Sequence, residues 1–121
     1  NAEPDPQDEN PDIIIGRGNL LQKHYPAAEA LCQMLNGKDY LNKALDCRQD
    51  VKFTGGYMSR WLNSRYPDRL ICLAIEFKKI FMDEWTGELD QPAWSELKLL
   101  FHSQTRDWIS AQYGWTLSPL A

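Results

Sequence analysis

Two short stretches carry residue types that can do chemistry. The first is Leu70–Glu76, in which six consecutive apolar residues, Leu70 to Ile75, run into a single carboxylate. A carboxylate at the carboxyl end of a buried strand is where open α/β sheets place ligand-binding groups. Desolvation there raises a carboxyl pKa and suits the group to accept or give a proton. The competing reading of Glu76 is a salt-bridge partner at the sheet end, and the residues themselves leave both open. The second stretch is Gly55-Gly56-Tyr57 with Arg60 one helical turn on. Paired glycines between a strand and a helix let a ligand approach the backbone, and free N–H groups at the helix start favour an anion. Arg60 can grip a carboxylate with two parallel hydrogen bonds. The plainer alternative is a tight turn followed by a solvated arginine. No Gly-Lys-Ser/Thr ending follows, so this is not a nucleotide phosphate loop.

The other chemistry-bearing residues are scattered. His24 and His102 have neither a histidine four residues away nor a nearby cysteine, and read as surface or satisfied core residues. Cys32, Cys47 and Cys72 form no CxxC pair, so a zinc site built on them is not expected. An odd, dispersed set of three points to reduced thiols and a cytoplasmic setting, with Cys72 packing as a small hydrophobe in the apolar run. No HExxH motif and no serine nucleophile elbow is present. Asp83, Glu84 and Glu88 read as acids punctuating a turn, and Lys78 and Lys79 as residues solvating the exit of the strand.

The elements that must position these residues follow from pattern. Residues 12–16, with three isoleucines before Gly16, read as a short buried strand. Residues 25–38 read as a helix with Pro26 in its first turn, Ala27, Leu31, Met34 and Leu35 on one face, and Asn36-Gly37 as its stop. Residues 38–50 are ambiguous, a turn with a weak helix or strand. Val51 and Phe53 alternate with polar residues, which predicts a strand over 50–54. A helix over 57–67 turns Met58, Trp61 and Leu62 inward and ends before Pro67. Residues 70–77 form a strand apolar enough to be covered on both faces. A long helix over 91–114 starts at Pro92, stops at Gly114, and carries Trp94, Leu97, Phe101, Thr105 and Trp108 along one stripe, widened by Leu100 and Ile109. Strands alternating with helices predict an α/β fold, a mixed or mainly parallel sheet with flanking helices in a partial three-layer arrangement.

The totals set bounds. The chain has 121 residues, 43% of them hydrophobic and five of them Trp, enough for one packed core. A net charge of −4 argues against a nucleic-acid binder held by a basic surface. No apolar run reaches the length of about 20 residues that a membrane span needs, so no membrane partner is expected. Residues 1–10, rich in proline and acids, read as a flexible lead-in beginning with an Asn1-Ala2 tag remnant, and residues 116–121 as a tail.

Four landmarks in order carry a family resemblance: Pro11-Asp12-Ile13 through Gly16, Gly55-Gly56-Tyr57, the strand ending in Glu76, and Phe81-Met82-Asp83-Glu84. Together these resemble the N-formylglutamate amidohydrolase family, over roughly residues 11–115. The resemblance implies a fold related to zinc carboxypeptidases and aspartoacylase, of which this chain is the C-terminal portion. It implies metal-assisted hydrolysis of a small anionic amide, N-formyl-L-glutamate, to glutamate and formate. Zinc polarises the carbonyl and the attacking water, and a carboxylate takes the proton. By this resemblance Glu76 is the base, while Gly55, Gly56, Tyr57 and Arg60 hold the substrate, Arg60 on the strength of its charge. The family's metal ligands, two His and one acid, lie upstream of the matched residues, and His24 and His102 do not correspond to them. The zinc is therefore expected of the full-length enzyme, and these residues alone are expected to bind none and to be inactive. Half a domain leaves apolar surface and strand edges unpaired, so a homodimer or swapped oligomer is expected. The competing reading is a non-catalytic α/β domain that binds a protein or an anion.

Overall fold

The computed structural model describes residues 10–116; the lead-in up to residue 9 and the tail from 117 lie outside the described residues. The elements in chain order are β1 (Ile13–Gly16), a single 3-10 turn at Gln22–His24, α1 (Tyr25–Leu35), β2 (Asp39–Tyr40), β3 (Lys43–Ala44), β4 (Cys47–Gln49), α2 (Tyr57–Arg65), β5 (Ala74–Phe77) and α3 (Gln91–Tyr113). The result is a small α/β protein with a three-stranded sheet ordered β4-β1-β5, a two-stranded hairpin of β2 and β3, and three helices. No helix among the described residues is long and apolar enough to cross a membrane.

β1 forms where three β-branched isoleucines succeed one another. It pairs in parallel with β4 and antiparallel with β5. The sheet is therefore mixed, and the direction of β5 corrects the mainly parallel expectation. Alternation along β1 divides the faces. Ile13 and Ile15, both fully buried, point with Cys47, Ile75 and Phe77 into the core, where they meet Leu31 and Leu35 of α1 and Leu97 and Trp108 of α3. Two polar contacts fix the helices: the Trp108 indole Nε1 donates to the Ala27 carbonyl at 2.7 Å, and the buried Tyr40 hydroxyl donates to the Ala93 carbonyl at 2.8 Å. Burial raises the Tyr40 phenol pKa and keeps it a donor.

α1 and α3 end at the stops that the sequence implies, and Asp90 adds an N-cap that it did not single out. Asn36 ends α1 in an extended conformation and Gly37 follows with a φ of 80°. Asp90 caps α3 by accepting the Ala93 N–H at 3.1 Å, and Gly114 closes it in the left-handed region.

Five expectations are overturned. Residues 50–54 form no strand: Asp50 and Lys52 both adopt left-handed φ values, 58° and 59°, which break an extended chain, and the strand is β4, just upstream. Of residues 70–77 only 74–77 join the ladder. The Asn63 side chain takes the place of a strand partner for Cys72, donating to its carbonyl and accepting its N–H, both at 2.9 Å. α2 is turned the other way from its expected face. Its buried residues are Ser59 and Asn63, while Met58 is 69% and Trp61 47% exposed, because the polar pair is consumed by hydrogen bonds to the backbone. Finally, β5 is not covered on both faces. One face is core; on the other Arg48 and Glu76 stand exposed on either side of Ile14, which is itself buried, so that face is covered only in part. α1 and α3 make one helical layer, and α2 packs extensively on neither face, so two layers are seen among the described residues where three were expected.

Candidate functional site

The face of the sheet opposite the core is built by register. Ile14 pairs with Glu76 on one side and Arg48 on the other, and Gly16 pairs with Ala74. These five residues share the face opposite the core. At its upper end the 52–56 loop folds down onto the strand. Gly18 N–H donates to the Thr54 carbonyl at 2.8 Å, and a methyl on Gly16 would lie 2.5 Å from the Thr54 carbonyl carbon. Gly55, at φ 125°, is enclosed by Asn19, Ser59 and Ala74. The Asn19 amide donates to the Gly56 carbonyl at 3.1 Å and to the Ser59 hydroxyl at 3.0 Å. Beside it, Arg17 clamps Asp50 through its backbone N–H at 2.7 Å, Nε at 2.9 Å and Nη2 at 2.8 Å, fixing the strained corner from which the loop leaves.

Gly55 is thus held by its surroundings, and Gly56 is not. The other six glycines each have either a left-handed φ or a neighbour closer than 3.0 Å to the position of a Cβ. Gly56 has φ −122° and ψ −164°, ordinary extended backbone, and open space in front of it. Nothing inside the described residues demands glycine there.

Glu76 sits one same-face step along β5 from Ala74, about 7 Å from the strand position against which Gly55 packs. Its side chain is exposed and makes no hydrogen bond or ion pair among the described residues. Neither the salt-bridge reading nor the desolvation invoked for a base is supplied by these residues. Because β5 runs against β1 and β4, its carboxyl end lies away from theirs. The rule that collects ligands at the carboxyl ends of parallel strands therefore does not join Glu76 to the Gly55-Gly56 turn; their common face does. Beside Glu76 is a cavity of about 250 Å³ walled by Ile14, Lys78, Lys79 and Glu84.

Tyr57 and Arg60 are exposed on α2, the guanidinium 5.8 Å from the Tyr57 ring centroid, and neither is among the walls of that cavity. The structure therefore brings Glu76 and the glycine turn to one face but does not gather Tyr57 and Arg60 with them. Asp83 is engaged in its own turn, its Oδ1 accepting the N–H groups of Trp85 at 2.8 Å and Thr86 at 3.0 Å. Those bonds, Thr86's first, lower its pKa. Sequence reading missed Asn19, Arg17 and Asp50, the residues that seat the loop. The only signal was Arg17 and Asn19 placed beside Gly16 and Gly18; Asp50 carried none. It also left Glu84 as a turn residue, although only the fold of residues 78–84 brings it beside Glu76.

Cys32 and Cys47 are buried neighbours, with Cys32 Sγ donating to the Cys47 carbonyl at 3.2 Å. Cys72 is only half-buried, less deeply placed than the apolar run around it suggested. Among the described residues no group of three or more His, Cys, Asp and Glu side chains comes together as a metal ion needs. Among the described residues, the zinc that the resemblance implies thus has no donor set. No family model matches the chain, and neither the curated proteins nor the solved structures contain a match to it.

Proposed function

We propose that this chain supplies the carboxylate wall of a hydrolytic site of the N-formylglutamate amidohydrolase type. The observation that carries the reading is that Glu76, exposed and unengaged among the described residues, shares the sheet face opposite the core with the Gly55-Gly56 turn. In this reading water attacks the formyl carbon, Glu76 takes the proton that the water loses, and the C–N bond breaks with a proton passing to the departing amine. The open backbone at Gly56 lets the substrate approach the start of α2. The fold beyond these residues is proposed to be zinc-carboxypeptidase-like, with this chain as the C-terminal portion of a cytoplasmic, oligomeric enzyme.

The test is formate release from N-formyl-L-glutamate by the native full-length protein. Glu76→Gln is expected to lower turnover about 10²- to 10⁴-fold with the fold unchanged, because the side chain is exposed. Undiminished turnover in that variant would remove Glu76 from the chemistry.

A second reading is favoured by α2. Tyr57, Met58 and Trp61 together form an exposed apolar face, as expected of a domain whose task is to bind another protein surface. Absence of any formylglutamate turnover by the full-length protein, with Met58→Asp lowering its mass in light scattering, would favour this alternative.

A further inference from the structure

Away from Glu76, the 67–71 segment, the Lys23–His24 corner and the last turns of α3 enclose a cleft of about 490 Å³. That is the size of a small-molecule site. Its walls are Ile71, Trp108, Ile109, Tyr113 and Trp115. The three aromatic rings form a continuous run: Trp108 meets Tyr113 edge-on at 5.8 Å, and Tyr113 lies tilted against Trp115 at 5.6 Å. The first ring is anchored through its indole N–H on Ala27, so the wall is rigid at its inner end.

The rim has the opposite character. Lys23 Nζ stands 3.3 Å from Asp68 in a largely exposed pair, and Arg69 makes no ion pair among the described residues. His24 closes the corner, with its Nε2 buried and without a hydrogen-bond partner among the described residues. Two cations facing one carboxylate leave the mouth positive. A run of aromatic rings and an arginine without an ion pair among the described residues, lining one cleft, match a ligand with a ring at one end and an anion at the other. None of these residues lines the cavity beside Glu76, so the inference stands apart from the proposed hydrolytic site.

We propose that this cleft binds a small aromatic carboxylate, its ring against Tyr113 and Trp115 and its carboxylate on Arg69. The test is an NMR titration of the protein with phenylacetate and, separately, with uncharged phenylacetamide. The expected result is saturable shifts at the backbone amides of residues 69–71 and 113–115, with phenylacetate bound on the order of tenfold more tightly. Arg69→Ala, a change at an exposed side chain, is expected to bring phenylacetate to the level of the amide, and Trp115→Ala to weaken both probes. Absence of saturable shifts at those amides, equal affinity for the two probes, or unchanged phenylacetate binding in Arg69→Ala would overturn the proposal.

Discussion

Gly16→Ala tests whether the sheet and the glycine turn are one rigid unit. The added methyl would lie 2.5 Å from the Thr54 carbonyl carbon, 2.7 Å from its oxygen and 2.8 Å from Gly55 N, all backbone atoms with no rotamer to change. Carbon atoms rest at about 3.5 Å or more, so the loop must retreat by about 1 Å. That retreat stretches the Gly18–Thr54 hydrogen bond from its 2.8 Å past the range in which it acts as one. Loss of the bond costs about 1 kcal/mol and the residual overpacking about 1–3 kcal/mol, together about 2–4 kcal/mol. With a urea slope of about 2 kcal/mol per molar, the midpoint should fall by about 1–2 M at unchanged slope. Gly56→Ala is the control. Its backbone is extended and its surroundings open, so its stability should stay within about 0.5 kcal/mol of the parent. A Gly16→Ala loss below about 0.5 kcal/mol would mean that the 52–56 loop is not seated on β1, and the shared face of Glu76 and the glycine turn would lose its basis.

Three further outcomes are expected. Asn63→Ala removes both hydrogen bonds to Cys72 and should lower stability by about 2 kcal/mol; a loss under about 0.5 kcal/mol by urea denaturation would show that residues 70–73 do not depend on it. Cys32 and Cys47 are buried and Cys72 is half-buried. The hydrogen bond between the first two raises the Cys47 thiol pKa and lowers that of Cys32, so it is burial that shields the pair, and a thiol reagent at pH 8 should label Cys72 first and reach Cys32 and Cys47 only on unfolding; rapid labelling of all three in the native state would contradict the core placement. The Asp83 carboxyl is held below its ordinary value of 3.8 by the Thr86 and Trp85 N–H groups. A depressed folded pKa contributes stability that is present above the unfolded value and lost as pH falls through the folded one. The amide signals of Trp85 and Thr86 should therefore titrate with a midpoint below 3.8, and Asp83→Asn should abolish that titration; a midpoint at or above 3.8 would refute the turn.

What the sequence determined by itself was local. Three consecutive isoleucines made β1, Pro26 and Asn36-Gly37 bounded the helix now seen as α1, and Pro92 and Gly114 bounded α3, because caps and β-branched runs act through neighbours in the chain. It also identified Glu76 and the paired glycines as unusual. It did not determine the direction of β5, since an apolar strand reads the same either way along a sheet. Nor did it determine the face of α2, where apolar periodicity pointed Met58 and Trp61 inward but Ser59 and Asn63 won the interior by bonding to backbone at Gly56 and Cys72. The aromatic-walled cleft joins residues 23, 69 and 115, which meet only when α3 lies across α1. Tertiary structure decided these points because each depends on contacts between segments distant in the sequence, a property of the assembled chain and of no single segment.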